Sequence, residues 1–320
     1  MPCRKSNAPL CGGNPVSAKE TKNLPASIHR RLLNKARAED RPFNELLQYF
    51  AIERFLYRLS KSKHANKFIL KGALMVISWE ASPSRPTADI DFLGLTKNEP
   101  ANIEAVVRDV CTEAVVPDGI DFDVKSIQVE TITDITEYKG LRVRLLARLG
   151  PARVPLQLDI GFGDPIVPGP ETFDYPVLLD LPVPRLNCYS RESVVADKLE
   201  CIFRFGMLNS RLKDFYDILL IINRFDFDGE ELGAAIQATF SNRKRNVDTA
   251  AISQVQDYAG DKTRASQWVA FCRKNRLTPE PPDLARTVET IIKFIDPLII
   301  AISSGENFRA RWPAGGPWQL

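Results

Sequence analysis

The feature that most restricts this chain is a pair of carboxylates one residue apart in a strand-like stretch, "RPTADIDFLG" (85–94). In an extended segment alternate side chains point to opposite faces, so Asp89 and Asp91 share one face while Ala88, Ile90 and Phe92 share the other. The apolar set demands a core behind the strand. Two like charges side by side repel and need compensation, and a divalent cation is the simplest source of it.

The flanking pattern supplies that core. Residues 68–70 read as a short strand, 73–79 as a helix, and 102–116 as an amphipathic helix. Strand-like runs follow at 124–132, 141–149 and 154–160, with Gly150-Pro151 as the turn between the last two. This is an α/β layout, a mixed sheet with flanking helices. Before it, residues 24–62 carry helical stripes, Ile28, Leu32 and Ala36 in one and Phe43, Leu47, Phe50, Phe55 and Leu59 in another, with Pro42 near the second helix's start. After it, helical patterns recur at 190–205, 210–224, 230–238, 264–274 and 284–302, so the second half is mostly α-helical. The expected organisation is a flexible arm over 1–22, an α/β domain with N-terminal helices over 23–185, a helical domain over 186–305 and a tail over 306–320. The proline-rich run at 175–186 serves as the connector.

Composition removes several classes of function. At 320 residues and 44% hydrophobic content the chain can bury a core. Six cysteines without a Cys-x-x-Cys pair read as reduced thiols of a cytosolic protein. The first twenty residues lack the apolar stretch of a signal peptide, and no apolar run is long enough to span a membrane. Only His29 and His64 are present, each beside a lysine or arginine, which places both on the solvated surface and argues against His-based hydrolysis and His-ligated zinc. The net charge of +3 hides an asymmetry: residues 1–67 carry 14 basic and 5 acidic side chains, residues 68–240 carry 17 and 27, and residues 241–320 carry 12 and 8. An acidic centre between basic ends suits a cation site flanked by surfaces for a polyanion, although ordinary solvated helices give the same count.

Further residues carry candidate chemistry. "FILKGA" (68–73) is a strand running through Lys71-Gly72 into a helix at Ala73, a turn whose backbone N–H groups can cradle phosphate. Arg85 and Thr87 then precede the acidic pair. Asp159, in "RVPLQLDIGFGD", falls on the face opposite Val154, Leu156 and Leu158, where it either faces the pair from a neighbouring strand or faces solvent. Three aspartates from two strands would suit two-metal phosphoryl or nucleotidyl transfer. Lys198 sits at the edge of the stripe made by Val195, Leu199 and Ile202, able to direct its ammonium to a phosphate or to water. Asp214 and Asp217 lie on adjoining turns near Arg211 and Lys213, as surface ion pairs or as groups that orient the lysine.

Taken together, "FILKGALMV", "RPTADIDFLG", "LQLDIGFGD" and "YSRESVVADKLECIFRF" with "SRLKDFYDILLI" resemble the AbiEii/AbiGii-type toxins. These are nucleotidyltransferases of the DNA polymerase β-like superfamily and the toxin partners of two-gene toxin–antitoxin systems. The resemblance spans roughly residues 25–225, with its blocks in family order. It implies a nucleotidyltransferase-like sheet in which Gly72 and its neighbours hold the triphosphate of an NTP. It implies that Asp89 and Asp91 bind Mg²⁺, and that Lys198 with the block holding Asp214 and Asp217 completes the site. The family usually has Gly-Gly or Gly-Ser where this chain has Gly72-Ala73, which keeps the backbone N–H and loses a hydroxyl.

The reading is therefore a cytosolic, Mg²⁺-dependent nucleotidyltransferase, with Asp89, Asp91 and Asp159 as metal ligands and Asp159 assisting the acceptor hydroxyl. Lys71, Gly72, Ala73, Arg85, Thr87 and Asp217 are the expected nucleotide contacts, with Lys198 and Asp214 in the catalytic set. By resemblance the acceptor is RNA, the tRNA 3′ end first among candidates, and the outcome is growth arrest or phage defence relieved by an antitoxin. A small-molecule acceptor such as an aminoglycoside, and a nucleotide-binding protein without turnover, are the rival readings.

Overall fold

The computed structural model describes residues 23–79, 87–133, 139–277 and 280–320. The arm expected over 1–22, and Arg85, lie outside the described residues.

The chain opens with α1 (Leu24–Ala38), capped by the Asn23 side chain, which accepts from the Ala26 amide at 3.1 Å, and α2 (Phe43–Lys61). The stripe Ile28, Leu32 and Ala36 is buried as its spacing requires. Then come β1 (Phe68–Lys71), α3 (Ala73–Trp79), β2 (Asp89–Gly94), α4 (Pro100–Cys111), β3 (Ile120–Thr133), β4 (Lys139–Leu149) and β5 (Ala152–Phe162). Helix α4 stops earlier than the sequence pattern suggests, because the Thr112 hydroxyl and amide both bond back to the last-turn carbonyls of Arg108 and Asp109.

The proline-rich connector carries more structure than its composition announces. After β6 (Glu171–Asp174), its end forms β7 (Arg185–Cys188), parallel to β1 and antiparallel to β6. The result is one seven-stranded mixed sheet in the order β3-β4-β5-β2-β1-β7-β6. The remainder is α5 (Arg191–Phe205), α6 (Leu212–Arg224), β8 (Phe227–Asp228), α7 (Gly229–Asn242), α8 (Ala250–Gly260), α9 (Lys262–Asn275), α10 (Leu284–Ser304) and β9 (Arg311–Trp312). The C-terminal tail is packed: β9 pairs with β8, and the Trp312 and Trp318 rings lie 4.8 and 5.4 Å from that of Phe294.

Strand alternation divides the core in two. Phe68, Leu70, Ile90, Phe92, Leu156 and Leu158 join α1, α2 and α4 in one apolar cluster. Ile69 and Leu93, on the other face, join the helical second half. Asp89 and Asp91 therefore lie on the face that turns towards the helical half.

Helix α2 is enclosed on all sides from Tyr49 to Leu59, and it takes Glu53 and Arg54 inside with it. Glu53 Oε2 accepts from the Leu178 amide at 2.8 Å, and Arg54 donates to the Pro182 carbonyl at 2.9 Å, so the pair fastens the connector to the helix. Burial pushes the Glu53 carboxyl up from 4.5 to about 8 despite the adjacent guanidinium. A carboxyl raised in the folded state adds stability that is complete below about pH 4.5 and lost as pH climbs to about 8. Thermal unfolding should accordingly shift downwards between pH 5 and pH 8. Glu53→Gln should remove most of that slope, and an unchanged slope in the variant would assign it to other groups.

His64 is buried rather than solvated. Where the chain leaves α2 it turns back under α4, and the His64 Nε2 atom lies 2.9 Å from an Asp109 carboxylate oxygen.

Candidate active site

The site begins with sheet register. Antiparallel pairing sets Lys71 of β1 opposite Asp91 of β2, and parallel pairing sets Asp91 opposite Asp159 of β5. Continuing across the sheet, Asp159 faces Arg142 of β4, which faces Glu130 of β3. One row over, Asp89 faces Gln157, which faces Arg144. The three aspartates read from the sequence thus meet on two adjacent strands.

Their environments differ. Burial raises the Asp91 carboxyl, with Lys71 opposing and Asp159 adding to the rise. Asp89 is raised by burial first and by the charge of Asp159 second, with Lys213 and Arg142 acting against it. Asp159 is clasped by Arg142 through two bonds of 2.7 Å, Nε to Oδ1 and the terminal nitrogen to Oδ2, which fixes its carboxylate plane. Arg142 was not visible as a site residue in the sequence. An arginine at an alternating position of a strand has no local signature, and only the register brings it to Asp159.

Gly72 follows β1 with φ +73°, a conformation that disfavours a side chain, and a Cβ there would sit 2.1 Å from Asp91 Oδ2. The Asp91 carboxylate lies where a side chain on the turn would have to go. Gly72→Ala should therefore displace Asp91 and lose most transfer activity while unfolding at only a modestly lower temperature. Near wild-type transfer by this variant would show that the close approach is dispensable.

Beside Asp91 opens a cavity of about 180 Å³, walled by Lys71, Gly72, Tyr189 and Arg243 and by the α5–α6 residues Lys198, Cys201, Arg211 and Asp214. Its cations are mounted on buried carboxylates. The Lys198 ammonium lies 3.2 Å from Asp214 and 2.5 Å from Asp217, whose side chains are each 1% exposed. Arg211 reaches the other oxygen of Asp214 at 2.6 Å. Lys71 turns to Asp164 at 2.8 Å, with Asp197 at 3.8 Å, and these two acids hold its ammonium firmly protonated against burial.

Arg243, at the end of α7, belongs to the same network. It lies 3.4 Å from Asp164, 3.2 Å from Asp197 and 3.2 Å from Glu200. In sequence the run Arg243-Lys244-Arg245 is a basic cluster expected to meet RNA phosphates and to leave NTP binding alone, yet the first guanidinium is a wall of the cavity with only 14% of its side chain exposed. Asp164 and Asp197 carry no local signature of a site either, although they sit inside the blocks "LQLDIGFGD" and "YSRESVVADKLECIFRF". Asp197 is one residue from Lys198, and successive helix positions turn by only about 100°, so both can border one opening.

Of the other expected contacts, Asp89 and Asp159 lie outside the cavity lining on the sheet face, and Asp217 lies behind Lys198. Ala73 opens α3 and is buried. The Thr87 amide donates to the Tyr49 hydroxyl at 3.1 Å, away from the cavity wall. Among the described residues no three His, Cys, Asp or Glu side chains are grouped to hold a metal ion by themselves. Asp89 and Asp91 are nevertheless hard oxygen donors on one face, both destabilised as anions by burial and by Asp159. That donor set fits Mg²⁺, which commonly takes one or two carboxylates and completes its shell with phosphate and water. The four described cysteines are free thiols, and no described helix is long and apolar enough to cross a membrane.

Comparison with known proteins gives three results. A family model described as the nucleotidyl transferase AbiEii toxin of type IV toxin–antitoxin systems matches residues 54–291. Two solved structures resemble the chain: a candidate nucleotidyltransferase from H. pylori, at 14% identity and TM-score 0.48, covering 82% of this chain and 98% of that one, and JHP933 from Helicobacter pylori, at 14% identity and TM-score 0.43, covering 88% and 94%. No curated protein matches. The family match extends over more than half of the sequence and takes in the β1 turn, the acidic pair, Asp159 and both helices that carry Lys198, Asp214 and Asp217. The chain belongs to the AbiEii nucleotidyltransferase toxin family of type IV toxin–antitoxin systems.

Proposed function

We propose that this nucleotidyltransferase toxin moves a nucleotide from an NTP to a terminal hydroxyl of RNA, with Mg²⁺ as the metal and tRNA as the acceptor. The observation that carries the reading is the juxtaposition of the Asp91–Asp159 row with a cation-walled cavity whose floor is the Gly72 turn. Such a cavity accepts a polyphosphate, and the row beside it is where the α-phosphorus and the acceptor would meet.

Mg²⁺ held by Asp89 and Asp91 would screen phosphate charge and lower the pKa of the acceptor hydroxyl. Lys198, Arg211 and Arg243 receive the β- and γ-phosphates, on a frame of buried carboxylates that keeps them in place before the substrate arrives. Asp159, oriented by Arg142, takes the proton of the acceptor hydroxyl as its oxygen attacks the α-phosphorus. The bond from the α-phosphorus to the bridging oxygen breaks, and pyrophosphate departs towards the cations. Loss of functional tRNA would arrest growth or limit phage in the cytoplasm, and a cognate antitoxin would relieve it.

The test is incubation of the protein with each α-labelled NTP, Mg²⁺ and total RNA. Label should enter an RNA band of tRNA size, disappear with EDTA and require the RNA 3′-hydroxyl. Label entering only an aminoglycoside or another small acceptor would overturn the RNA assignment. No label entering any acceptor would overturn turnover itself.

A further inference from the structure

Helices α1, α2 and α4 pack against β3, β4 and β5 from one side, where Leu141, Val143, Leu145, Val154, Leu156 and Leu158 are buried. On the opposite face, the outward positions of β4 from Arg142 to Arg148 and of β5 from Arg153 to Asp159 are half-buried or exposed, and no described helix is buried against them. That uncovered face continues directly into the row holding Asp159 and Asp91.

We propose that the open face of β4 and β5 is the platform along which the acceptor RNA strand approaches Asp159, its phosphates meeting Arg144, Arg148 and Arg153. The proposal rests on the RNA reading above and adds the surface that binds the acceptor.

Charge selects the occupant. Between Arg142 and Arg148 the outward positions of β4 are Arg142, Arg144, Leu146 and Arg148, and between Arg153 and Asp159 those of β5 are Arg153, Pro155, Gln157 and Asp159. Four arginines thus stand against one aspartate. Arg148 and Arg153 lie directly opposite each other, an arrangement of like charges that Asp123, on the β3 side of Arg148, offsets from one side only. Nothing in the core requires it.

The edge strand β3 sets the path. Its acids hold two of the arginines from the side, Glu130 on Arg144 at 2.8 Å and Asp123 on Arg148 at 2.9 Å. They also repel phosphate, which confines a polyanion to β4 and β5. Both ion pairs are at least a quarter exposed on each partner, and such pairs contribute little, so a phosphate can replace the carboxylate at small cost. Residues that share a face repeat every 6.6–6.8 Å or so along a strand, which puts Arg148 about 20 Å from the Arg142 row, long enough for several nucleotides.

No aromatic side chain occupies these outward positions of β4 and β5. Binding should therefore be led by phosphate contacts and show little base preference, with the 3′ end fixed by the reacting row.

The test compares wild type with the double variant Arg144→Glu/Arg153→Glu, measuring tRNA affinity across a salt series and NTP affinity by itself. The variant should bind tRNA at least tenfold more weakly. Its slope of log K against log salt should be shallower by about 0.7 per lost single-strand contact, about 1.4 in all. NTP affinity should stay within twofold. A second measurement needs no variant: 4-thiouridine-substituted RNA bound to wild type should cross-link to peptides from 140–158.

Unchanged RNA affinity and slope in a folded variant, or cross-links confined to α7–α9, would overturn the platform. If wild type transfers nucleotide to RNA and the variant matches it, the platform alone fails. If wild type neither binds nor modifies RNA, the acceptor assignment fails first and the platform with it.

Discussion

Asp91→Asn and Asp89→Asn are expected to lower nucleotide transfer by about three orders of magnitude each, roughly 4 kcal/mol of transition-state stabilisation. The isosteric change removes a charge and little volume. Asp91 is the more severe case, because the same carboxylate borders the cavity and packs against Gly72. Neither variant should unfold the protein. Burial and the Asp159 charge already oppose ionisation of both groups, so an uncharged amide relieves a cost carried by the folded state. Thermal unfolding should be unchanged or slightly higher for Asp89→Asn. For Asp91→Asn the lost attraction to Lys71 partly offsets the gain. More than a tenth of wild-type transfer in either variant would remove that residue from the metal-binding assignment. A large fall in the unfolding temperature would instead mark it as structural.

The acidic row was legible in the sequence for a definite reason. Alternation in "ADIDFLG" and in "RVPLQLDIGF" places carboxylates opposite apolar residues within each strand, and the fold delivers those faces as read. What alternation could not supply was the pairing. That Asp91 meets Asp159 and Arg142, instead of some other neighbour, follows from a strand order in which β5 inserts beside β2. The same limit hid the second cation network. Lys71, Asp164, Asp197 and Arg243 come from four segments spread over more than 170 residues, and no local pattern links them.

Helices with one apolar face were read well, α10 and α5 among them. The proline-rich connector was not, because β7 takes its place by pairing with β1 through few residues and little hydrophobic signal. The burial of His64 is hidden in the sequence for a related reason. Lysines beside it in sequence describe the chain's neighbours, whereas burial under α4 is set by a contact with Asp109, 45 residues away.

Lys198→Met separates a cation that acts on substrate from one that only fills a charge network. The variant keeps an apolar stem of similar reach and removes the ammonium, leaving Asp217 and Asp214 in a site where each side chain is 1% exposed. Breaking a buried pair by removing one partner costs about 3–5 kcal/mol, since the remaining charge is uncompensated. Arg211 stays on Asp214, and the shorter of the two lost contacts is the one to Asp217, which bears the larger share of the cost. The single variant should therefore unfold at a clearly lower temperature and transfer no measurable nucleotide, which alone would not distinguish the two roles. Lys198→Met/Asp217→Asn does distinguish them. Removing the Asp217 charge as well should restore much of the stability, because both members of the ion pair are then gone from the interior together. Transfer should stay lost, and direct binding of pyrophosphate, read by calorimetry, should be weaker than in wild type, because the cavity still lacks a cation for the leaving phosphates. A double variant that regained both stability and transfer would show that Lys198 serves only to neutralise Asp214 and Asp217.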